Sequence, residues 1–404
     1  MTDGALSHIR VLDLSRVLAG PLAGQILGDL GAEVIKVERP GRGDDTRAWG
    51  PPWFDNADAE NRQAAYYLAA NRNKRSVAID IARPEGQALV RELAAQSDVV
   101  LENFKAGGLA RYGLDYASLS AVSPRLIHCA ITGFGQDGPY AHKPGYDVLI
   151  QAMGGLMSVT GEPDGPPQKA GVALADVMTA LYAVIGIQAA LAHRERTGAG
   201  QFIDLALMDV QAAALVNQAM NYLVSGTPPT RMGNAHPNIV PYQAFRAADG
   251  HFILTVGNDD QFARLCDAIG RADLAADARF ATNAARVDNR EVLIPILAGI
   301  FAEGTTAHWL DAIGAAGVPC GPINDLAGVF ADPQVRHREM ATAVPDSAGR
   351  AVPTLGSPLK LSGTPGTPRT APPALGEHTD AVLRDRLGRS PQAIAELRAT
   401  GVVG

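Results

Sequence analysis

The sequence predicts an α/β protein built on a Rossmann-like, doubly wound parallel sheet, accompanied by a smaller α+β domain. Two observations carry this prediction. Short apolar runs alternate with helical patterns through the first 135 residues, and the texture changes to a hairpin pattern after residue 228. Repeated strand–helix–strand units of this length are typical of parallel sheets. A chain of 404 residues is also long enough for two or three domains.

The elements of the first domain follow one another in a regular order. Pro21 stands at an early position of the first helix, where its missing N–H costs little, and Pro84 does the same in the second. The predicted elements are strand 9–14, helix 21–30, strand 33–38, helix 84–96, strand 98–101 and strand 126–131. Helical crossovers of this kind return the chain to the same end of the sheet, as parallel strands require.

The rest of the chain begins with a long, nearly all-apolar helix over 175–196, which we expect to be buried. After a Pro-containing linker, the turn Asp249-Gly250 indicates a hairpin. The segment 362–375 is rich in Pro, Gly and Thr and is expected to be an extended strap, and a helical segment over 380–397 is expected to pack on the large domain. The predicted domains are 1–227 (large, first part), 228–318 (small) and 319–404 (return to the large domain).

Composition and charge argue against several classes of protein. With 47% hydrophobic residues, a net charge of -7 and no basic stripe, the chain is predicted to be globular and not to bind nucleic acid. Its three cysteines, Cys129, Cys266 and Cys320, are widely spaced, which disfavours a disulfide framework and a zinc site. Cys129 lies in an apolar run and is expected to be a buried structural thiol. No histidine pair has metal-binding spacing, so no metal site is predicted.

Neither a targeting segment nor a membrane segment is expected. The N-terminal residues lack the apolar run of a signal peptide. The most apolar stretch, 177–192, is interrupted by Gln188 and falls short of the roughly 20 residues that span a bilayer. We therefore expect a cytoplasmic protein that does not associate with membranes.

The carboxyl ends of the predicted strands indicate where a ligand binds, because ligands of open α/β sheets occupy the crevice beyond those ends. The loops at these ends are Ser15-Arg16-Val17, Arg39, Glu102-Asn103-Phe104 and Gly133-Phe134-Gly135. They bring together cationic, amide and aromatic groups with flexible glycines. Such a site suits a ligand that carries both phosphates and a base.

A dinucleotide cofactor is one candidate for this ligand, since the strand 33–38 ends in the acidic Glu38. The first turn, however, lacks the G-x-G-x-x-G sequence whose glycines allow close approach of the pyrophosphate. A nicotinamide site is therefore disfavoured. The basic run 72–75 is interpreted as a solvated charge run, with phosphate contact as the alternative.

Asp176 stands at the start of the long apolar helix, and two interpretations are open for it. Aspartate is a frequent N-cap, because its side chain accepts hydrogen bonds from the first helical amides. A carboxylate can also be a covalent nucleophile toward an activated carbonyl, and the helix dipole stabilises an anion at this end. The two roles are compatible, so the residue type alone does not separate them.

Motifs from about residue 8 to residue 388 resemble the family III CoA-transferases, the group that includes formyl-CoA transferase. They are Arg16-Val-Leu-Ala-Gly-Pro21, Gly31-Ala-Glu-Val-Ile-Lys-Val-Glu-Arg39, Asn73-Lys-Arg-Ser76, Glu102-Asn-Phe104, Gly145-Tyr-Asp147, Thr197-Gly-Ala-Gly-Gln201 with Asp204, and Gly376-Glu-His-Thr379. The resemblance implies an enzyme that moves CoA between small carboxylic acids, with CoA thioesters as substrates and no permanently bound cofactor. It also implies an intertwined, ring-like homodimer.

The resemblance further implies roles for individual residues. Asp176 falls on the nucleophile that carries CoA as an aspartyl thioester. The positions that it implies for CoA and substrate contacts are Val17, Leu18, Ala19, Arg39, Ile79, Asp80, Ile81, Ala82, Asn103, Phe104, Lys105, Arg111, Tyr146 and Asp147. Several of these lie in the strand-end loops that the fold prediction selects independently.

Two departures from the patterns of related enzymes bear on specificity. Racemases of the same superfamily have a histidine where this chain has Tyr146, so a second base for proton exchange is missing. The glycine run of formyl-CoA transferases is replaced at 257–261 by Gly-Asn-Asp-Asp-Gln, which we expect to be less flexible. This loop, together with the segment 231–237, resembles members that use succinyl-CoA and a dicarboxylate.

These features predict transfer of CoA from succinyl-CoA to a small dicarboxylate-like acid. Two alternatives remain open at this point. One is an acyl-CoA racemase or isomerase, and the other is a protein that binds acyl-CoA without turning it over.

Overall fold

The computed structural model describes residues 4–54 and 62–404, which form two compact units. The larger unit comprises the chain up to Leu156, Ala170–Met220 and Pro333–Gly404. The smaller unit comprises Met157–Lys169 and Asn221–Asp332. Its main segment therefore runs from 221 to 332, where the sequence predicts a domain from 228 to 318, and it also includes a short earlier segment.

A six-stranded parallel sheet forms the centre of the larger unit and confirms the predicted α/β class. Its strands are β1 (Arg10–Asp13), β2 (Glu33–Glu38), β5 (Lys74–Ala78), β6 (Val99–Glu102), β7 (Ile127–Thr132) and β8 (Phe202–Ala206), while β3 (Trp53–Phe54) and β4 (Gln63–Ala64) pair with each other. The strand order is β5-β2-β1-β6-β7-β8, with every neighbouring pair parallel.

Helices cover both faces of this sheet. They are α1 (Ala19–Asp29), α2 (Ala65–Leu68), α3 (Pro84–Ala95), α4 (Tyr116–Ser120), α5 (Asp147–Met153), α6 (Leu174–Thr197) and α7 (Leu207–Ala214), with 3-10 turns at Asp45–Ala48, Ala110–Tyr112 and Leu156–Ser158. Successive residues of β1 point to opposite faces. Val11 belongs to the core that contains α1 and α6, and Leu12 to the core that contains α3.

The smaller unit has its own hydrophobic core, in which Phe245, Phe252 and Phe301 pack together. The elements from this part of the chain are α8 (Val216–Ser225), β9 (Tyr242–Arg246), β10 (His251–Thr255), α9 (Asp259–Ala268), α10 (Ala272–Ala276), α11 (Asn283–Asp288), α12 (Arg290–Phe301), α13 (Thr306–Ala315), β11 (Cys320–Pro322) and α14 (Leu326–Ala331). Strands β9 and β10 form the predicted hairpin.

The C-terminal part of the chain returns to the larger unit. It contains α15 (Pro333–His337), the antiparallel pair β12 (Ala341–Pro345) and β13 (Ala351–Leu355), α16 (Thr379–Leu387) and α17 (Pro391–Ala399). The predicted single helical segment over 380–397 is therefore two helices. Val382 and Leu383 of α16 pack in the core beneath the sheet, as the sequence suggested.

The prediction that the long apolar helix is buried is wrong for the single chain. Of the 24 residues of α6, those buried in the larger unit are Ala175, Thr179, Ala180, Ala183, Ile187, Ala190, Leu191 and Arg194. The side chains of Leu181, Tyr182 and Ile185 are 47%, 46% and 61% exposed. By length and composition α6 could cross a membrane, as could α12 and α13 if that bent pair is one span. Core helices of globular proteins meet the same criterion.

The cysteines are free, and Cys129 is buried as predicted. Burial raises the pKa of its thiol to about 12, so it stays protonated and unreactive at neutral pH. Within residues 4–54 and 62–404, no group of three His, Cys, Asp or Glu side chains is arranged to hold a metal ion.

Candidate active site

The loops at the carboxyl ends of β1, β2, β5 and β6 enclose a cavity of about 350 Å³. Its wall contains Arg39, the segment Ile79–Ala82 and Phe104, all of which the sequence analysis selects for CoA contact. Arg16 also lines it, with its guanidinium 6.0 Å from the centroid of the Phe104 ring. The cavity thus brings together the cationic and aromatic groups that suit a ligand with phosphates and a base.

Other predicted contact residues stand beside this cavity rather than in its wall. The Asn103 side chain accepts a hydrogen bond from Arg16 N (2.9 Å) and donates one to Arg16 O (2.6 Å). Arg111 is exposed, and its guanidinium lies 4.5 Å from the ring centroid of Tyr112, which does line the cavity. Lys105 is exposed, while Val17, Leu18 and Ala19 form the loop and first turn that lead into α1.

The basic run 72–75 is not a solvated charge run, which corrects that interpretation of the sequence, and its buried cations already have carboxylate partners. Its first three residues are buried. Arg72 donates two hydrogen bonds to Asp29 (2.9 and 2.6 Å), and Lys74 Nζ lies 2.9 Å from Asp13 Oδ2. Lys74 begins β5, a strand that is covered on both faces, so its charge is buried and needs a carboxylate partner. The sequence analysis does not predict this strand.

Asp176 lies in the first turn of α6, at its third helical position. It is not the N-cap, because Ala173 occupies that position and its side chain forms no capping hydrogen bond. Asp147 supplies the cap instead: its Oδ1 accepts from Ala175 N (2.8 Å) and from Asp176 N (3.3 Å). The interpretation of Asp176 as a helix cap is therefore wrong, because its carboxylate accepts no capping hydrogen bond from the helix.

Asp147 is buried and held in place by Gln151, whose Nε2 donates to Asp147 Oδ2 (2.7 Å). Gln151 Oε1 in turn accepts from Ala170 N (2.9 Å), which ties the segment before α6 to α5. A second close approach fixes the chain before Asp147, because a Cβ at Gly133 would meet Gly145 Cα at 2.7 Å. Glycine at both positions lets the loop after β7 bring Asp147 to the start of α6.

The surroundings of Asp176 make its carboxylate unusually basic. Burial, and then the charge of Asp147, raise its pKa to about 7 from the ordinary 3.8. Among the residues that the structure describes, no hydrogen bond or ion pair engages this carboxylate. A partly buried carboxylate with a raised pKa and no cation partner has the character of a reactive group.

Tyr66 is a site residue that the sequence analysis missed. Burial raises the pKa of its phenol, with further contributions from the charges of Asp176, Asp147 and Asp44. Asp44 belongs to the cavity wall and Asp176 to the first turn of α6, so the phenol of Tyr66 is influenced by the charges of both. The Trp49 ring packs edge-on against it at 5.1 Å between centroids. No sequence motif marks these residues, because an aromatic pair 17 positions apart looks like ordinary core.

Tyr146 precedes the capping aspartate and is 69% exposed. It stands at the N-cap position of α5, with its backbone extended. Its phenol is therefore accessible on the same turn that carries Asp147. The side chain has no imidazole that could take up a proton near neutral pH.

The loop 257–261 belongs to the smaller unit and is closed by its own side chains. Asn258 is the N-cap of α9 and accepts from Gln261 N (2.9 Å), while Gly257 N donates to Gln261 Oε1 (2.6 Å). This reciprocal arrangement is a variant of a capping box. It gives a physical basis for the expectation that the loop is less flexible than a run of glycines.

Comparisons with known proteins extend over almost the whole chain. The sequence pattern of the family described as CoA-transferase family III matches residues 6–379. A succinate–glutarate CoA-transferase from Agrobacterium fabrum is 54% identical over 380 residues, covering 94% of this chain and 95% of that protein. A succinyl-CoA:glutarate CoA-transferase from Mus musculus is 44% identical over 398 residues, covering 98% and 90%.

A crystal structure shows the same relationship in three dimensions. A CAIB/BAIF family protein from Brucella suis superimposes with a TM-score of 0.84 at 52% sequence identity. The match covers 95% of this chain and 100% of that one.

Proposed function

The chain belongs to CoA-transferase family III and is a CoA-transferase, and from that premise we propose that it moves CoA from succinyl-CoA to glutarate, with Asp176 as the covalent nucleophile. The observation that carries the proposal is the state of Asp176: its carboxylate is partly buried, has no cation partner among the described residues, and has a pKa of about 7. Such a group is basic enough to attack a thioester carbonyl.

The choice of donor and acceptor rests on the relatives. Succinate or succinyl-CoA and glutarate appear in the names of relatives at 54% and 44% identity, each aligned over at least nine-tenths of both chains. Succinate and glutarate are dicarboxylates that differ by one methylene. An acyl-CoA racemase is less well supported, because Tyr146 offers no second base near the nucleophile.

The proposed reaction proceeds in four steps and consumes no other reactant. The Asp176 carboxylate attacks the succinyl thioester, giving a mixed anhydride and free CoA thiolate. The thiolate attacks the aspartyl carbonyl, which releases succinate and leaves an aspartyl-CoA thioester. Glutarate then attacks that thioester to form a second anhydride and release the thiolate again. Finally the thiolate attacks the glutaryl carbonyl, which yields glutaryl-CoA and regenerates the carboxylate.

The CoA moiety is proposed to lie in the cavity at the strand ends. Arg39 and Arg16 stand in its wall and offer guanidinium groups to phosphate oxygens. Phe104 and the segment Ile79–Ala82 offer apolar contact to the base. Tyr66 lies near both the cavity and Asp176, so a ligand in the cavity could extend its thiol end toward the nucleophile.

We further propose that the protein is a homodimer. The exposed side chains on α6 and on α8, where Leu223 and Val224 are 70% and 80% exposed, are large and apolar. Exposed patches of this kind mark interaction sites, and the family resemblance names a second copy of the chain as the occupant. Light scattering at micromolar concentration should give twice the mass of one chain. A stable folded species with the mass of one chain would contradict this proposal.

The decisive experiment for the function offers the enzyme succinyl-CoA with a panel of carboxylic acids and identifies the new CoA esters by mass. Glutarate should be converted best. In a parallel sample, hydroxylamine added after succinyl-CoA alone should trap Asp176 as a hydroxamate, since a thioester or anhydride is far more electrophilic than a carboxylate. Preference for oxalate and formyl-CoA by more than tenfold in kcat/KM, about 1.4 kcal/mol, would overturn the substrate assignment. Labelling of another residue would overturn the nucleophile.

A further inference from the structure

Four charged side chains are completely buried next to the cavity. Lys36 pairs with Asp44 and Lys74 with Asp13, each with 2.9 Å between nitrogen and oxygen, and all four side chains are 0% exposed. Burying an ion pair costs about as much desolvation free energy as the attraction returns, so such pairs are weak evidence for stability. Stability alone therefore does not account for these pairs, and their other contacts indicate a further role.

Lys36 holds the loop that leads from β1 into α1. Its Nζ donates to Ser15 O (2.8 Å), and its ion-pair partner Asp44 accepts from Val17 N (3.2 Å). Asp44 is itself fixed by hydrogen bonds from the amide (3.0 Å) and hydroxyl (2.8 Å) of Thr46. One lysine thus restrains both ends of the loop 15–17, directly at Ser15 and through Asp44 at Val17.

The loop that these contacts restrain contains a residue, Val17, in an unfavourable backbone conformation. Val17 has a φ of 73°, a left-handed value that a β-branched residue rarely adopts. Strain of about 1–3 kcal/mol persists only where the surroundings enforce it. The Asn103 side chain adds two further restraints, because it accepts a hydrogen bond from Arg16 N and donates one to Arg16 O.

The strained loop borders the cavity directly. Leu14, Arg16 and Asp44 all line it. A relaxed Val17 would turn the peptide groups on either side and move the Arg16 side chain. We propose that Lys36 is a positioning residue for CoA, which acts through Ser15 and Asp44 to hold the loop 15–17 in the binding conformation. This inference rests on the proposed function of the cavity.

If Lys36 were only structural, its loss would lower stability without weakening CoA binding. Another buried ion pair in the same chain provides a matched control. Arg72 and Asp29 form another buried ion pair, with exposures of 5% and 4%, at the opposite end of α1. Neither residue lines the cavity or contacts the loop 15–17. Loss of that pair should lower the melting temperature without affecting CoA binding.

The test compares Lys36→Met with Arg72→Met in the full-length enzyme, using calorimetry with free CoA as the probe and hydrogen exchange of the 15–18 amides. We expect Lys36→Met to raise the Kd for CoA at least tenfold and to speed exchange in the loop. Arg72→Met should leave both unchanged at a temperature where it is folded. The double variant K36M/D44N leaves no unpaired charge, so it keeps the protein folded if the single variant does not fold.

A rescue separates positioning from general damage. Glycine adopts a φ of 73° without steric cost, so adding Val17→Gly to Lys36→Met should recover part of the lost affinity. Wild-type Kd in folded Lys36→Met, or failure of both Lys36 variants to fold, would overturn the inference. Absence of CoA binding by the wild-type enzyme would instead overturn the proposed function of the cavity.

Discussion

The larger unit holds buried carboxylates in two places, and they respond to burial in opposite ways. Beside the cavity, Asp13 and Asp44 lie against Lys36 and Lys74. Burial alone would raise the pKa of both carboxylates. The nearby lysines lower the pKa by more than burial raises it, so the net pKa falls below the ordinary value, to about 2 for Asp44. At the start of α6, burial and the Asp147 charge act in the same direction and raise the pKa of Asp176 to about 7.

The comparison shows that burial does not by itself decide whether a carboxylate is structural or reactive. The position of the nearest cation does. Paired with a lysine, a buried carboxylate is a fixed anion whose lone pairs are occupied. Placed beside another carboxylate and left without a cation, it keeps a proton to neutral pH and has a free lone pair once that proton leaves.

The largest effect that would test this comparison is the loss of transfer in Asp176→Asn. An amide cannot form the anhydride, so kcat should fall by on the order of 10³-fold or more, while the protein stays folded. Succinyl-CoA and glutarate, with glutaryl-CoA read by mass, provide the measurement. Asp44→Asn should instead lower the stability by about 3–5 kcal/mol, because it leaves Lys36 buried without its partner. Substantial turnover by a folded Asn variant, checked for deamidation, would remove Asp176 from the mechanism.

A smaller effect is expected at the cations that face the cavity rather than the buried cluster. Arg39 is exposed and lines the cavity, so Arg39→Ala should raise KM for both CoA substrates about tenfold with little change in kcat. Arg111 contacts Tyr112 but does not itself line the cavity, so Arg111→Ala should have the weaker effect of the two. Steady-state kinetics at fixed glutarate measures both. Equal KM for Arg39→Ala and the wild type would leave Arg39 a surface residue.

The raised pKa of Asp176 predicts how the rate depends on pH. Only the ionised carboxylate attacks, so kcat/KM for succinyl-CoA should rise with pH and level off above about 7. Asp147→Asn removes the neighbouring charge but retains an oxygen that can accept from Ala175 N. Its profile should shift toward acid by about one pH unit, or 1.4 kcal/mol. A profile identical to that of the wild type would mean that burial alone raises the pKa.

The smallest effect concerns stability and has an unusual sign. The folded state binds the Asp176 proton more tightly than the unfolded chain does. The contribution of this group to stability is therefore present below pH 4 and is lost as pH rises through about 7. Asp176→Asn escapes that loss and should be more stable than the wild type at pH 8, but not at pH 4. Lower stability at pH 8 would indicate that the carboxylate has a structural partner.

The sequence predicted those parts of the fold that follow from local periodicity. The four predicted parallel strands, β1, β2, β6 and β7, and the helix with Pro84 at its first position lie within a residue or two of their expected places, because each signal is contained in a few neighbouring residues. Strand β8 was not predicted. Strand β5 escaped notice because Lys74 and Arg75 look solvated until the fold supplies Asp13 and Glu33 as partners. No sequence pattern states which distant carboxylate a lysine will meet.

The residues of the candidate site likewise include some that the sequence indicates and others that only the tertiary structure brings together. Asp176 stood out by its place at the start of an apolar helix, and the family resemblance implied its role, but the residue that caps that helix, Asp147, lies 29 positions earlier. Tyr66 and Trp49 carry no motif at all. The prediction that α6 is buried failed for its exposed face. Apolar composition indicates that a helix face is buried, but it does not indicate whether the same chain or another chain packs against it.

The cap that α6 receives from Asp147 also has a consequence for the order in which the enzyme becomes competent. In a nascent chain, Asp176 is an ordinary, weakly basic aspartate, since it is not yet buried and the Asp147 carboxylate is not yet held beside it. Under the proposed mechanism it becomes reactive only when α5 has packed against α6 and Gln151 has formed its hydrogen bond to Asp147. The reactivity of Asp176 toward a thioester would therefore depend on completion of the tertiary structure. Partly folded molecules would not trap acyl groups on a site unable to pass them on.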